Sequence, residues 1–209
     1  MKLENMFELA YCVNLKERFD RWSLCQEEFD KIHFFPERFD AIKHETPWMG
    51  CYLSHLEILK KARQENKNVI IFEDDVEFVN IQDNVIEKAL DELYNLDYAM
   101  LYLGGNILKP FYQETDHLAR LQHCQSTHSY AINKKYLDTI IQFLEKQPYI
   151  IDVLYANYVV PQLPSYIIYP MVAIQRTSYS NIEKQEMTYD IPIARYNQFF
   201  VKKEANNIG

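Results

Sequence analysis

Asn68 to Phe78 reads NVIIFEDDVEF. An apolar run, Val69 to Phe72, meets three consecutive carboxylates, Glu73, Asp74 and Asp75, and the chain then turns apolar again. Such a run, short and bounded, has the pattern of a buried strand. Three like charges at its end repel one another, and each one withdrawn from water costs several kcal/mol unless something pairs it. Either the acids are the solvated exit of a strand, or a cation belongs there. Side chains alternate along an extended segment, so Glu73 and Asp75 are expected to face one way together. Two carboxylates with a shared direction make a hard oxygen site suited to Mn²⁺ or Mg²⁺. Asp74, facing the other way, would orient neighbouring backbone or a ribose hydroxyl.

Outward from this stretch, strand and helix patterns alternate. ELAYCVNL (Glu8 to Leu15) is a strand ending at Asn14, and KERFDRWSLCQEEFDKI continues as an amphipathic helix. FFPERFDAI supplies a short strand, and Gly50 introduces the helix CYLSHLEILKKARQENK, with Leu53, Leu56, Leu59 and Ala62 at helical spacing. Beyond the acids come a helix (DNVIEKALDELYNL), a strand closed by two glycines (YAMLYLGG), a strand (QSTHSYAI) and a helix ended by Pro148. YIIDVLYANYV predicts a short turn and a helix at Asp152, SYIIYPMVAIQ one or two last strands, and RTSYSNIE a polar loop. Alternating strands and helices predict an α/β fold, a Rossmann-like, mostly parallel sheet flanked by helices. The reading is one domain over residues 1–195 and a C-terminal tail over 196–209. In such sheets ligands bind beyond the carboxyl ends of strands, where Asn14 and the Glu73–Asp75 cluster both lie.

Composition removes several classes of function. At 209 residues the chain is long enough for a sizeable core, and 48% apolar with 25% charged residues is ordinary for a globular protein. A net charge of −8 without a basic stripe argues against nucleic acid as a partner. No apolar run reaches the length of a membrane span, which leaves peripheral association open. Cys12, Cys25, Cys51 and Cys124 have neither CxxC nor zinc-finger spacing. With no signal-peptide pattern at MKLENMFELAYC, the expectation is a cytoplasmic, reducing setting with four free thiols.

Two further stretches carry chemistry. VNLKERFDRW sets Arg18 and Arg21 just past the first strand, where forked guanidiniums can meet phosphate, and where an ordinary helix start is the plain alternative. GCYLSH is expected to put Ser54 and His55 on the first turn of a helix, where free backbone N–H groups favour an anion. The plain alternative there is a serine near a helix start and a partly buried histidine.

Taken in order, NLKERFDRW, ERFDAI, GCYLSHLEILKKA, VIIFEDDVEF, LYLGG, HSYAI and PMVAIQRTSYSNIE resemble glycosyltransferase family 25. That family includes lipooligosaccharide β-galactosyltransferases and collagen galactosyltransferase domains. The resemblance runs from about Tyr11 to Glu183, and the GCxxSH element followed by EDD is its most specific part. It implies a GT-A type fold and transfer of a hexose, most often galactose, from a UDP-sugar to a glycan or glycoprotein hydroxyl, with inversion and a divalent metal. Carried over, Glu73 and Asp75 match the metal motif, with Asp74 between them. Asn14, Arg18 and Arg21 match the nucleotide side, and Gly50, Ser54 and His55 match the Gly-Cys-Ser-His element. Asp152 is the candidate catalytic base, with Asp116, Asp138 and Glu114 next in line. Two rival readings remain: a metal-dependent phosphoesterase or nucleotidyltransferase using the same acids, and a glycan- or nucleotide-sugar-binding module without turnover.

Overall fold

The computed structural model describes residues 1–176, 178–180, 185–187 and 197–203. In chain order, a short helix α1 (Leu3–Met6) precedes β1 (Leu9–Asn14), α2 (Phe19–Ile32), β2 (Glu37–Asp40), α3 (Pro47–Glu65) and β3 (Val69–Glu73). Next come β4 (Val76–Phe78), α4 (Val85–Leu93), β5 (Met100–Tyr102), β6 (Phe111–Gln113), β7 (Leu118–Arg120) and β8 (Ser129–Ile132). The chain continues with α5 (Leu137–Lys146), α6 (Ile151–Leu154) and a π-helical turn over Tyr155–Val159. The strands β9 (Ser165–Ile168), β10 (Ala173–Gln175), β11 (Ser178–Ser180), β12 (Gln185–Met187) and β13 (Phe200–Val201) complete it.

Among the described residues, nine strands form the main sheet in the order β13-β6-β7-β9-β5-β8-β3-β1-β2. The α/β expectation holds, and the sheet is mixed. β2, β1 and β3 run parallel, as do β5 and β9, while β8 lies antiparallel between β3 and β5. No crossover helix separates β5 from β8, and a parallel return would need one. Both sheet faces are covered, so buried residues alternate between two cores. Val69 and Ile71 join Tyr11, Val13 and the α3 and α5 residues Leu59, Ile140 and Leu144. Ile70 and Phe72 join Cys12 and the α2 and α4 residues Phe29, Ala89 and Leu90. This explains why β3 reads as an unbroken apolar run rather than an alternating one.

Three local departures from the expectations have physical causes. α3 starts at Pro47, three residues before Gly50, because Thr46 and Pro47 take the N-cap and first helical positions. Gly50 is instead a close-packing site: a Cβ there would lie 2.4 Å from the Ile42 carbonyl oxygen. In the stretch expected to be a polar loop, Ser178–Ser180 pairs antiparallel with Gln185–Met187. Within the expected tail, Phe200 and Val201 extend the sheet edge beside Phe111 and Tyr112, and residues 204–209 lie outside the described ones.

Glu92 on α4 fastens the turn between β6 and β7. It accepts from the His117 amide (2.9 Å), from His117 Nδ1 (2.7 Å) and from the Thr115 hydroxyl. Burial pushes its carboxyl up, but His117 and Thr115 outweigh that and hold it below the usual glutamate range. A depressed carboxylate contributes stability above its unfolded pKa, about 4.3, and loses it as pH falls through the folded value. Glu92→Gln should therefore cost about 1–2 kcal/mol at pH 7 in urea denaturation, with the gap narrowing below pH 4. An equal deficit at both pH values would show that the charge contributes nothing.

Candidate functional site

The register sets Val13 beside Glu73, so the carboxyl ends of β1 and β3 lie together and bring Asn14 to the acids. β3 ends at Glu73, and Asp74 and Asp75 form the turn into β4. The alternation expected for Glu73 and Asp75 therefore stops at Glu73, and the three acids take three different environments. Asp74 is held on both oxygens, by Asn14 Nδ2 at 2.7 Å and by Arg21 Nη1 at 2.7 Å. Glu73 accepts from the Thr127 hydroxyl at 2.5 Å, and its Oε1 lies 3.3 Å from His55 Nε2. Burial pushes Glu73 up, but His55 and Thr127 outweigh it and leave the carboxyl below its ordinary value.

Asp75 follows Asp74 in the turn. Its side chain is buried, and Oδ2 accepts from Gln175 Nε2 at 2.8 Å. Oδ1 is also buried and has no hydrogen-bond partner. Burial first, and the neighbouring Glu73 charge second, push this carboxyl up to about 7 against the pull of Gln175. A buried carboxylate oxygen without a donor is costly, and a hard divalent cation is one partner that would satisfy it. Asp75 and Glu73 are the carboxylates that would hold such an ion, and the Glu73 charge already bears on Asp75.

The structure places the other expected residues as follows. Asn14 is buried, and its Oδ1 has no partner either, leaving an acceptor for a ligand donor. Arg18 turns its fork onto Asp20 at 2.9 and 2.7 Å, and that pair sits at the partly exposed start of α2. Ser54 and His55 do not lie on a first turn. They sit two turns into α3, where the backbone N–H groups are already used, so the anion argument fails there. Both are wholly buried. Ser54 donates to the Gly50 carbonyl and accepts from the Ile42 amide, clamping α3 to the segment after β2. His55 Nδ1 meets the Tyr130 hydroxyl at 2.8 Å, and Tyr130 meets Tyr155 at 3.2 Å, so the imidazole reaches the acids from behind.

Asp152 is the second residue of α6, and the N-cap position belongs to Ile150. Its Oδ2 accepts from the Ser126 amide at 3.2 Å, across from its own helix, while Oδ1 is buried without a partner. Burial pushes the carboxyl up, the Ser126 amide pulls it down, and the Glu73 charge raises it again. The alternatives stand elsewhere. Asp138 is exposed on α5, 3.7 Å from Arg63, and Glu114 and Asp116 lie in the turn between β6 and β7.

Four residues of the site were not anticipated: Thr127, Ser126, His128 and Gln175. Ser126 adopts a left-handed φ of 80° and joins His128 Nδ1 at 2.6 Å through its hydroxyl. Burial pushes His128 down to about 4, so at neutral pH it is uncharged. Gly104 at the end of β5 leaves room here, since a Cβ would lie 1.7 Å from the Ala173 carbonyl oxygen and 3.1 Å from His128 Nε2. Cys51, on the face of α3 toward the acids, completes the cleft. Burial and then the charges of Glu73, Asp152 and Asp75 push its thiol well above the ordinary range. Cys51, His55 and Glu73 bring one ligand atom each within 4.8 Å of one another. The four cysteines are all free, and no helix among the described residues is long and apolar enough to cross a membrane.

A family model described as glycosyltransferase family 25 (LPS biosynthesis protein) matches residues 46–171, from the N-cap of α3 to just before β10. Among solved structures, the chain is similar to A197 from STIV, with 14% identity, a TM-score of 0.50, and coverage of 81% of this chain and 85% of that one. It is also similar to a glycosyltransferase involved in the glycosylation of the major capsid of PBCV-1, with 12% identity, a TM-score of 0.47, and 76% and 80% coverage. At 14% identity the first likeness is one of fold. No curated protein matches.

Proposed function

The chain belongs to glycosyltransferase family 25, and from that premise we propose that it moves a hexose, galactose first among candidates, from a UDP-sugar to a hydroxyl of a glycan or glycoprotein acceptor. The transfer inverts the anomeric centre and depends on Mn²⁺ or Mg²⁺. The observation that carries this reading is the unpartnered, buried Oδ1 of Asp75, set among Glu73 and Asp74 at the carboxyl end of a central strand. Asp75 and Glu73 would hold the cation. Bound there, it would supply the positive charge that a departing nucleoside diphosphate needs.

The remaining work falls to the chain's own groups. Asp74, fixed by Asn14 and Arg21, keeps the β3–β4 turn in place and presents Asn14 Oδ1 to the nucleotide. Arg21, thirteen per cent exposed beside Asp74, and Arg18 at the mouth add fixed positive charge on the diphosphate side. Ser54 and His55 support this side from within the fold rather than touching the nucleotide. Asp152 receives the proton of the acceptor hydroxyl on its bare Oδ1, and burial makes it a stronger base than an exposed aspartate. A cytoplasmic setting belongs to the same reading, supported by four unpaired thiols.

A panel of UDP-sugars, screened for Mn²⁺-dependent release of UDP with and without sugar acceptors, tests the proposal. Release that rises with one donor and one acceptor class is the expected result. Hydrolysis indifferent to acceptor would favour a phosphoesterase, and a UDP-induced thermal shift without turnover would favour a binding module.

A further inference from the structure

We infer that Cys51, His55 and Glu73 form a second, thiophilic metal site, taking Zn²⁺ or Cd²⁺, whose occupation withdraws Glu73 from the donor site and so inhibits transfer. Cys51 and His55 are four residues apart on α3 and therefore project from one face toward the end of β3. Their ligand atoms and a Glu73 oxygen already lie within 4.8 Å of one another. A tetrahedral zinc with bonds of about 2.0–2.3 Å needs ligand separations of roughly 3.4–3.8 Å. His55 Nε2 and Glu73 Oε1, at 3.3 Å, meet that already, and Cys51 has at most about an ångström to close.

A second observation points to a ligand independently of the cluster. His55 is wholly buried, and its Nε2 makes no hydrogen bond although it faces Glu73. Its other nitrogen is engaged by the Tyr130 hydroxyl at 2.8 Å, the outer contact that fixes the tautomer of a metal-bound imidazole. In the tautomer that donates Nδ1–H to Tyr130, the Nε2 lone pair faces the Glu73 carboxylate, a position that a cation would bridge. Thiolate and imidazole select zinc and cadmium over Mg²⁺ and Mn²⁺. As the sulfur–metal bond forms, the Cys51 thiol releases its proton to solvent. Three protein ligands leave one position open to water, on the side where Cys51 and Glu73 are partly exposed.

The inference rests on the donor-site reading only for its inhibitory consequence, and binding is tested without any sugar. Cd²⁺ titrated into the chelator-treated full chain should raise the ultraviolet sulfur-to-cadmium charge-transfer absorption and saturate at one ion per chain. Cys51→Ser should abolish that band, whereas Cys124→Ser, at a buried thiol that is not one of the three ligands, should keep it. His55→Gln should weaken binding by about tenfold or more. Asp75→Asn should leave the band unchanged, which separates this site from the oxygen site whatever the fate of the donor-site reading. In the unaltered protein, Zn²⁺ should protect Cys51 from alkylation, read by peptide mass, and Mg²⁺ should not. Absence of the band and of protection in the wild-type chain, or a band that survives in Cys51→Ser, overturns the proposal.

Discussion

Asp75→Asn should lower sugar transfer by about a thousandfold and abolish the Mn²⁺-dependent thermal shift with UDP, while the ligand-free protein becomes more stable at pH 8. The two signs come from one cause. Asparagine keeps an acceptor for Gln175 Nε2 but removes the buried charge. Loss of charge stabilisation at a departing diphosphate is worth several kcal/mol, and each 1.4 kcal/mol is about tenfold in rate. For stability, burial and Glu73 place the folded pKa at about 7, above the unfolded aspartate value of about 3.9. The folded state then binds the proton more tightly than the unfolded state, so this group's contribution falls as pH rises between those two values. The melting temperature of Asp75→Asn should exceed wild type at pH 8 and match it near pH 4. A variant that is less stable at pH 8 and still turns over normally would remove Asp75 from the site.

This opposition between stability and activity also explains what the sequence could disclose. The acidic run was legible because three carboxylates beyond a buried strand break the rule that charge is kept solvated or paired. Its internal division was not. Whether Glu73 and Asp75 share a face depends on the strand continuing, and it ends two residues too soon. The start of α3 was legible in principle: Thr46–Pro47 is an N-cap followed by a proline at the first helical position, and Gly50 drew attention from it. β6 and β7, three residues each, are too short to show a period of two. Gln175 and Thr127 reach the acids from strands and loops far along the chain, through contacts that no local pattern encodes. His55 stood out in the sequence, but its burial between Tyr130 and Glu73 depends on the order β8-β3 in the sheet.

The sharpest separation of roles lies at Asp152. If it is the base, Asp152→Asn should lower turnover by about 10²–10⁴-fold, the span by which a positioned proton acceptor speeds a reaction. Donor affinity should hardly move, and above neutral pH the melting temperature should hold or rise slightly, because the charge that burial disfavours is gone. Asparagine can still accept from the Ser126 amide, which is the structural duty the carboxylate performs with Oδ2. What asparagine cannot do is take a proton at the position of Oδ1, the oxygen that no protein group uses. A purely structural aspartate predicts the same stability but a rate near wild type. The pH profile adds an independent reading, because the base must be ionised. Burial holds its pKa above the ordinary aspartate value, so wild-type turnover should rise with pH through an inflection higher than an exposed aspartate would give. That limb should vanish in Asp152→Asn. Near-normal turnover with the limb intact would exclude Asp152, and because exposed Asp138 lies 3.7 Å from Arg63 in the last turn of α3, Glu114 and Asp116 would be tested next.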